Sequence, residues 1–114
     1  MEMIIHLDSD IFNIVKNGSK NVEVRVNDSK RRKLNVGDTL IFLKRPNDDE
    51  EIRGTVTKLV YFNNFLEVVD NYPIERLYLD NYDKEDFIKL LGRFYSDEEV
   101  KEYGVVAIEF ELVK

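Results

Sequence analysis

The sequence has no cysteine and only one histidine, His6. A chain without thiols forms neither a disulfide framework nor a thiolate metal site, so disulfide-stabilised folds and cysteine-ligated metal sites are excluded. A reduced, cytoplasmic setting is then the default expectation. We interpret His6 as a structural or groove-lining residue and predict neither a metal site nor a cofactor.

Long hydrophobic runs are also missing. The apolar runs reach about four or five residues, whereas a membrane-spanning helix needs roughly 20. The first ten residues, MEMIIHLDSD, lack a basic segment followed by a long apolar one, so we predict no signal peptide and no membrane partner. Glycine-rich phosphate loops, nucleophile elbows and zinc-ligand spacings are absent from the sequence as well.

The charge is negative overall and unevenly distributed. With 114 residues, 43% of them hydrophobic and 35% charged, the chain fits a single globular domain over residues 1–114. The net charge of −6 argues against a general nucleic-acid binder, and no DNA binding is predicted. Residues 16–45 nevertheless carry nine Lys and Arg against three acidic residues, whereas residues 62–114 carry thirteen acidic residues against six basic ones. The basic segment could contact an anion, or the two segments could be solvated faces.

Hydrophobic periodicity predicts an α+β fold. Alternating patterns predict strands over residues 3–7, 22–26, 39–43, 52–62 and 105–113, and helical spacing predicts helices between 8 and 18 and over 65–71, 73–79, 83–94 and 96–104. Gly54, inside the longest strand, suggests a bulge or sharp bend of the kind that a closing barrel needs. The order of elements favours a small, partly closed mixed β-barrel with helices at its mouth.

Three charged residues in the stretch NGSKNVEVRV form the best candidate site. Glu23 and Arg25 are two apart on a predicted strand and share a face, roughly 6.5–7 Å apart, and Lys20 precedes that strand. In one interpretation these are surface charges, with Lys20 complementing the helix dipole. In the other, Lys20 and Arg25 hold an anion or a base edge, while Glu23 orients them or acts as an acid/base group.

Four segments carry a family resemblance: Gly18–Arg25, with the pattern G-x-K-x-x-E-x-R; Asn27-Asp28 with the basic run after it; Val36-Gly37-Asp38; and Tyr103–Ile108. They resemble the ASCH domain, a family of small PUA-like β-barrels whose signature is similar to the first segment. Their order and spacing match over roughly residues 3–112.

The resemblance implies a barrel of five or six strands, with helices flanking a cleft beside the first helix. It also implies that this cleft binds RNA, a nucleotide or a nucleoside; oligomeric state is not predicted. The predicted ligand-binding residues are Lys20, Glu23, Arg25, Lys30, Arg31 and Arg32.

The resemblance also implies an enzymatic alternative. Some bacterial proteins similar to this domain remove the acetyl group from N(4)-acetylcytidine with a lysine, a threonine three residues later and a distal glutamate. Lys20 matches the lysine, Glu23 stands at the threonine position, and Asp80 or Glu75 is the candidate distal acid. A carboxylate there would act as a general base on water, which is a different mechanism. The predicted catalytic residues are Lys20, Glu23 and Asp80, for a nucleoside hydrolase or a ribonuclease.

A plainer alternative is an interaction protein. The barrel surface would then contact another protein, and the acidic C-terminal half would suit a basic partner.

Overall fold

The computed structural model describes residues 1–113 and shows five strands and five α-helices there. The strands are β1 (Glu2–Leu7), β2 (Val22–Val26), β3 (Thr39–Lys44), β4 (Glu51–Phe62) and β5 (Val105–Leu112). The helices are α1 (Ser9–Lys16), α2 (Phe65–Asn71), α3 (Ile74–Leu77), α4 (Lys84–Leu91) and α5 (Asp97–Tyr103), and a 3-10 turn spans Arg31–Lys33.

One curled sheet holds all five strands, in the order β1-β3-β4-β5-β2. The β1 strand runs parallel to β3, and the other three pairings are antiparallel. The sheet forms a half-barrel whose two edges are β1 and β2, so the α+β barrel prediction is confirmed.

The bend in β4 lies beyond the glycine that suggested it. Gly54 pairs regularly with both neighbouring strands, and the register shift comes between Val56 and Lys58. A Cβ at Gly54 would lie 3.1 Å from the Phe110 ring and 3.5 Å from Phe42. The glycine is therefore required by close packing of aromatic rings in the barrel interior rather than by the bulge.

The sheet is buried on both faces. On one face, valines of β2 and β5 pack against α2, α3 and α4; on the other, residues of β1, β3 and β5 pack against Phe12 and Val15 of α1. Consecutive residues of β5 pack alternately into the two cores. Val105 and Ala107 belong to one core, and Val106 and Ile108 belong to the other. This explains why the sequence of β5 begins with a continuous apolar run.

No helix within residues 1–113 is long and apolar enough to cross a membrane.

A polar network fastens α2 and α3 to the sheet. The Tyr72 hydroxyl donates a 2.7 Å hydrogen bond to Oε2 of Glu109, on β5. Arg76 donates to Oε1 of Glu109 at 3.3 Å and to the Asn21 side chain at 2.8 Å. Burial alone would raise the pKa of Glu109, but hydrogen bonds from Tyr72 and Arg76 outweigh it and lower that pKa.

Replacing Tyr72 by Phe should lower the free energy of unfolding by about 1–2 kcal/mol at neutral pH, because a hydrogen bond to a carboxylate is lost. A carboxyl with a lowered folded-state pKa contributes stability above its ordinary value of 4.5 and loses it as the pH falls further. The deficit of Tyr72→Phe should therefore shrink below about pH 4.5. Urea denaturation across pH measures it.

The control is Tyr61→Phe, because Tyr61 is 60% exposed and its hydroxyl has no hydrogen-bond partner among the described residues. Equal stability of wild type and Tyr72→Phe at neutral pH would show that the hydrogen bond from Tyr72 to Glu109 contributes nothing.

Candidate ligand-binding cleft

A cavity of about 440 Å³ opens where the sheet fails to close. We call this cavity the seam cleft. Its lining comes from the end of β1, from α1, from β2 and Lys20 before it, from Arg45 after β3, and from the segment that runs from the end of α3 to Tyr95. The lining residues are His6, Leu7, Asp8, Ile11, Lys20, Glu23, Val24, Arg25, Arg45, Leu77, Tyr78, Phe87, Leu90, Leu91, Phe94 and Tyr95. Both edge strands of the half-barrel thus contribute to the lining of the cleft.

Lys20 lies at the floor of the seam cleft and is only 4% exposed. Gly18, with φ of 90°, turns the chain after α1 and brings Lys20 to the start of β2. The ammonium donates hydrogen bonds to the carbonyl oxygens of Val22 and Leu77, the second at 2.8 Å. Because Leu77 ends α3, its carbonyl lacks a partner within the helix, and Lys20 supplies one.

Glu23 is enclosed between two cations. Its Oε2 lies 3.8 Å from Nζ of Lys20, and its Oε1 lies 3.4 Å from Nε of Arg25. Both separations are long for hydrogen bonds, and within residues 1–113 neither Glu23 Oε2 nor Arg25 Nε has a hydrogen-bond partner. The three side chains form an ion cluster with a formal charge of +1 that is incompletely hydrogen-bonded.

The cluster shifts the pKa of both cations. Burial lowers the pKa of Lys20, and the attraction of Glu23 offsets this only in part. Burial also opposes the charge on Arg25, but interactions with Glu23 and Tyr95 outweigh it, so the pKa of Arg25 is raised. Arg25 therefore remains a cation, whereas burial makes the charged form of Lys20 less favourable than it is in water.

One side of the seam cleft is apolar and aromatic. Leu77, Phe87 and Leu91 are buried there. The Tyr78 ring lies 5.3 Å from the Phe87 ring, centroid to centroid, and joins them. The cleft thus combines a charged floor with a hydrophobic side.

The rim consists of four exposed residues: His6, Asp8, Arg45 and Phe94. His6 points its Nδ1 at Oδ1 of Asp48, 3.2 Å away. Arg45 makes no ion pair with any side chain in residues 1–113. The rim therefore offers a free cation and an exposed aromatic ring.

The predicted site residues divide into two groups. Lys20, Glu23 and Arg25 line the seam cleft, as does His6, which was interpreted as structural or groove-lining. The others predicted to bind or catalyse, Lys30, Arg31, Arg32, Asp80 and the alternative Glu75, are not among the lining residues.

The basic run follows β2 and is held locally. The guanidinium of Arg31 lies 3.7 Å from Oδ2 of Asp28. Arg32 donates a hydrogen bond to the Asn27 carbonyl oxygen, and its Cζ lies over the Tyr103 ring, 5.7 Å from the ring centroid. Lys30 is exposed. A role in ligand binding for these residues stays a prediction, as does catalysis by Asp80.

Arg45, Phe94 and Tyr95 line the cleft without having been predicted as site residues. They come from segments remote from the signature, so no spacing in the sequence links them to Lys20. The only sequence feature that could have indicated a site here is the aromatic pair Phe94-Tyr95 after α4. Such a pair is equally typical of core packing.

No group of three or more His, Asp or Glu side chains in the described part of the chain is placed to hold a metal ion.

Comparison with known proteins identifies the family. The family model described as the ASCH domain matches residues 5–114. The chain belongs to the ASCH domain family. This is a PUA-like fold family often linked to RNA binding. No match was found among the curated proteins.

Solved structures similar to this ASCH domain cover nearly all of it. Hypothetical protein PH0355, a crystal structure, is 30% identical, with a TM-score of 0.86 over 99% of this chain and 100% of its own. The solution structure of PF0455 from Pyrococcus furiosus is also 30% identical, with a TM-score of 0.80 over 100% and 99%. A crystal structure of ASCH from Zymomonas mobilis is 15% identical, with a TM-score of 0.60 over 96% and 66%, which supports the fold alone.

Replacing Lys20 by Met should destabilise this ASCH domain by about 3 kcal/mol or more. The change leaves two carbonyl oxygens without their donor and removes one of the two cations beside a buried carboxylate. Chemical denaturation measures the effect, and Lys89→Met, at an exposed position on α4, is the control. A Lys20→Met protein as stable as the control would contradict a structural role for Lys20.

Proposed function

We propose that this ASCH domain binds RNA or a nucleotide in the seam cleft, with an unpaired base inside. One observation carries the proposal: the signature residues Lys20, Glu23 and Arg25 line a cavity of about 440 Å³ between the edges of the half-barrel. The family link to RNA binding supports the same conclusion.

Within the cluster, Arg25 and Glu23 are the proposed contacts to the base. A base edge carries both donors and acceptors; the guanidinium supplies donors and the carboxylate supplies acceptors. Their mutual contact of 3.4 Å is not a hydrogen bond, so both retain hydrogen-bonding capacity. Lys20 already donates to two carbonyl groups, so its proposed role is to hold the floor rather than to contact the ligand.

An unpaired base suits the cleft better than a duplex does. The floor is buried beneath strands and helices, and a base can present its edge there only when it has left a base pair or was never in one. The apolar side of the cleft would then pack against the face of the base.

The backbone of the ligand would remain at the rim. Arg45 is exposed, borders the cleft and has no ion pair within residues 1–113, so it is the proposed phosphate contact. Lys30, Arg31 and Arg32 stay predicted contacts to further phosphates, outside the cleft.

Hydrolysis of a modified nucleoside or of RNA has less support. The predicted distal acids, Asp80 and Glu75, are exposed and do not line the cleft. The ammonium of Lys20, predicted to be catalytic, is engaged by two carbonyl groups. Incubation with N(4)-acetylcytidine and with RNA, followed by product analysis, tests this alternative directly; turnover abolished in Glu23→Gln would establish it.

Replacing Arg25 by Gln should weaken binding of short single-stranded RNA tenfold or more, because a charge-assisted contact is lost. Arg25→Lys should recover only part of the affinity, since it restores the charge but not the planar fork. Titration at low salt, with thermal unfolding to confirm the fold, measures both. Equal affinity of wild type and both variants would contradict the proposed site.

Replacing Arg45 by Gln should reduce the dependence of affinity on salt. Removal of one phosphate contact lowers the slope of log K against log[salt] by about 0.7 for a single strand. The matched control is Arg53→Gln, which makes the same change in net charge but removes a guanidinium paired with Glu2 and Glu51 outside the cleft. If the two variants have the same slope, Arg45 makes no specific phosphate contact.

A further inference from the structure

Phe94 occupies an unusual position at the rim of the seam cleft. It is 71% exposed, the highest exposure among the large apolar side chains of the described residues, and it lines the cavity. Single exposed apolar residues are common on protein surfaces, so exposure alone carries no conclusion. The location beside the charged floor, and the way in which the ring is held there, carry the argument.

The backbone that presents Phe94 is fixed by the end of α4. The amide groups of Phe94 and Tyr95 both donate to the carbonyl oxygen of Leu91, each at 3.1 Å. The Tyr95 ring packs against Phe65 of the core, with centroids 6.0 Å apart, and Tyr95 also interacts with Arg25. Phe94 is therefore displayed by a turn that is anchored on both sides of it.

The neighbours of Phe94 define what its ring could contact. Leu90, Leu91 and Tyr95 continue the apolar wall towards it, and Arg25 lies in the same cavity. A flat ligand with an apolar face and a polar edge matches this arrangement, because the face would meet the wall while the edge reaches the ion cluster. Unpaired bases have this amphipathic character and stack on aromatic side chains.

We infer that Phe94 is a stacking platform for an unpaired base at the mouth of the seam cleft. The inference rests on the proposed function and assigns one further binding residue to it. Stacking tolerates any base, because each base has a π-face, so Phe94 would contribute affinity without selecting the sequence.

The chain contains no tryptophan, which makes a direct test possible. Phe94→Trp places a single indole at the rim, and we expect single-stranded RNA to quench its fluorescence on stacking. Tyr61→Trp is the control, since Tyr61 is an exposed aromatic residue that does not line the cleft. An abasic oligomer of the same length should leave the fluorescence of Phe94→Trp unchanged, because it brings phosphates but no base.

Affinities separate stacking from simple hydrophobic contact. We expect Phe94→Leu to lose about tenfold in affinity for single-stranded RNA and Phe94→Tyr to retain it, because leucine is apolar but has no π-face. Wild-type affinity in Phe94→Leu, or absence of quenching in Phe94→Trp while RNA is bound, overturns the stacking role and leaves the proposed function standing. Absence of RNA binding by the wild type at low salt overturns both.

Discussion

The buried ammonium of Lys20 is the interaction on which the architecture of the cleft depends. It joins three parts of the chain: the turn after α1, the start of β2 and the end of α3, through the carbonyl groups of Val22 and Leu77. An ammonium in this position requires a counter-charge, which Glu23 provides. Glu23 in turn lies against Arg25. The K-x-x-E part of the signature thus pairs one buried charge with its counter-charge, and Arg25 adds a second cation, so the cluster carries a formal charge of +1.

An incomplete barrel gives that cluster access to the outside. Because β1 pairs only with β3 and β2 only with β5, the sheet ends on two strands that face each other across a gap. A fully closed barrel would have placed hydrogen bonds there and removed the cavity. The helices after β4 supply an apolar wall instead, so the space between the strands becomes a cleft with two chemically different sides.

The elements, and three residues that line the candidate cleft, could be predicted from the sequence, because both depend on local patterns. Period-2 valines predicted β2, and the signature identified Lys20, Glu23 and Arg25. The burial of Glu23, at 7% exposed, could not be derived from alternation, which assigns the face opposite the valines to solvent. Glu23 is enclosed by Lys20 and Arg25 in a cleft whose lining comes from distant parts of the chain, a tertiary effect without a period in the sequence.

The rim and the position of the bulge could not be predicted for a related reason. Arg45 and Phe94 are 49 positions apart and meet the cleft only because the two strand edges and α4 converge there. The bulge follows Val56 rather than Gly54. A side chain at Gly54 would instead crowd the rings of Phe110 and Phe42, which explains the glycine. A glycine in a strand can be required by a bulge or by the close approach of neighbouring atoms, and only the packed structure distinguishes these two causes.

The distribution of charge favours different roles for the side chains inside the cleft and for the exposed cations outside it. The lining holds three cations, Lys20, Arg25 and Arg45, and two carboxylates, Glu23 and Asp8, so the cavity itself attracts anions only weakly. An overall charge of −6 would repel a polyanion at long range. Attraction of a phosphate backbone would therefore have to come from exposed cations such as Arg45 and Lys30, while the floor acts at hydrogen-bond distance. Under the proposed function, the cleft would recognise the chemical groups of a single nucleotide, and its selectivity would depend on Arg25 and Glu23 rather than on net charge.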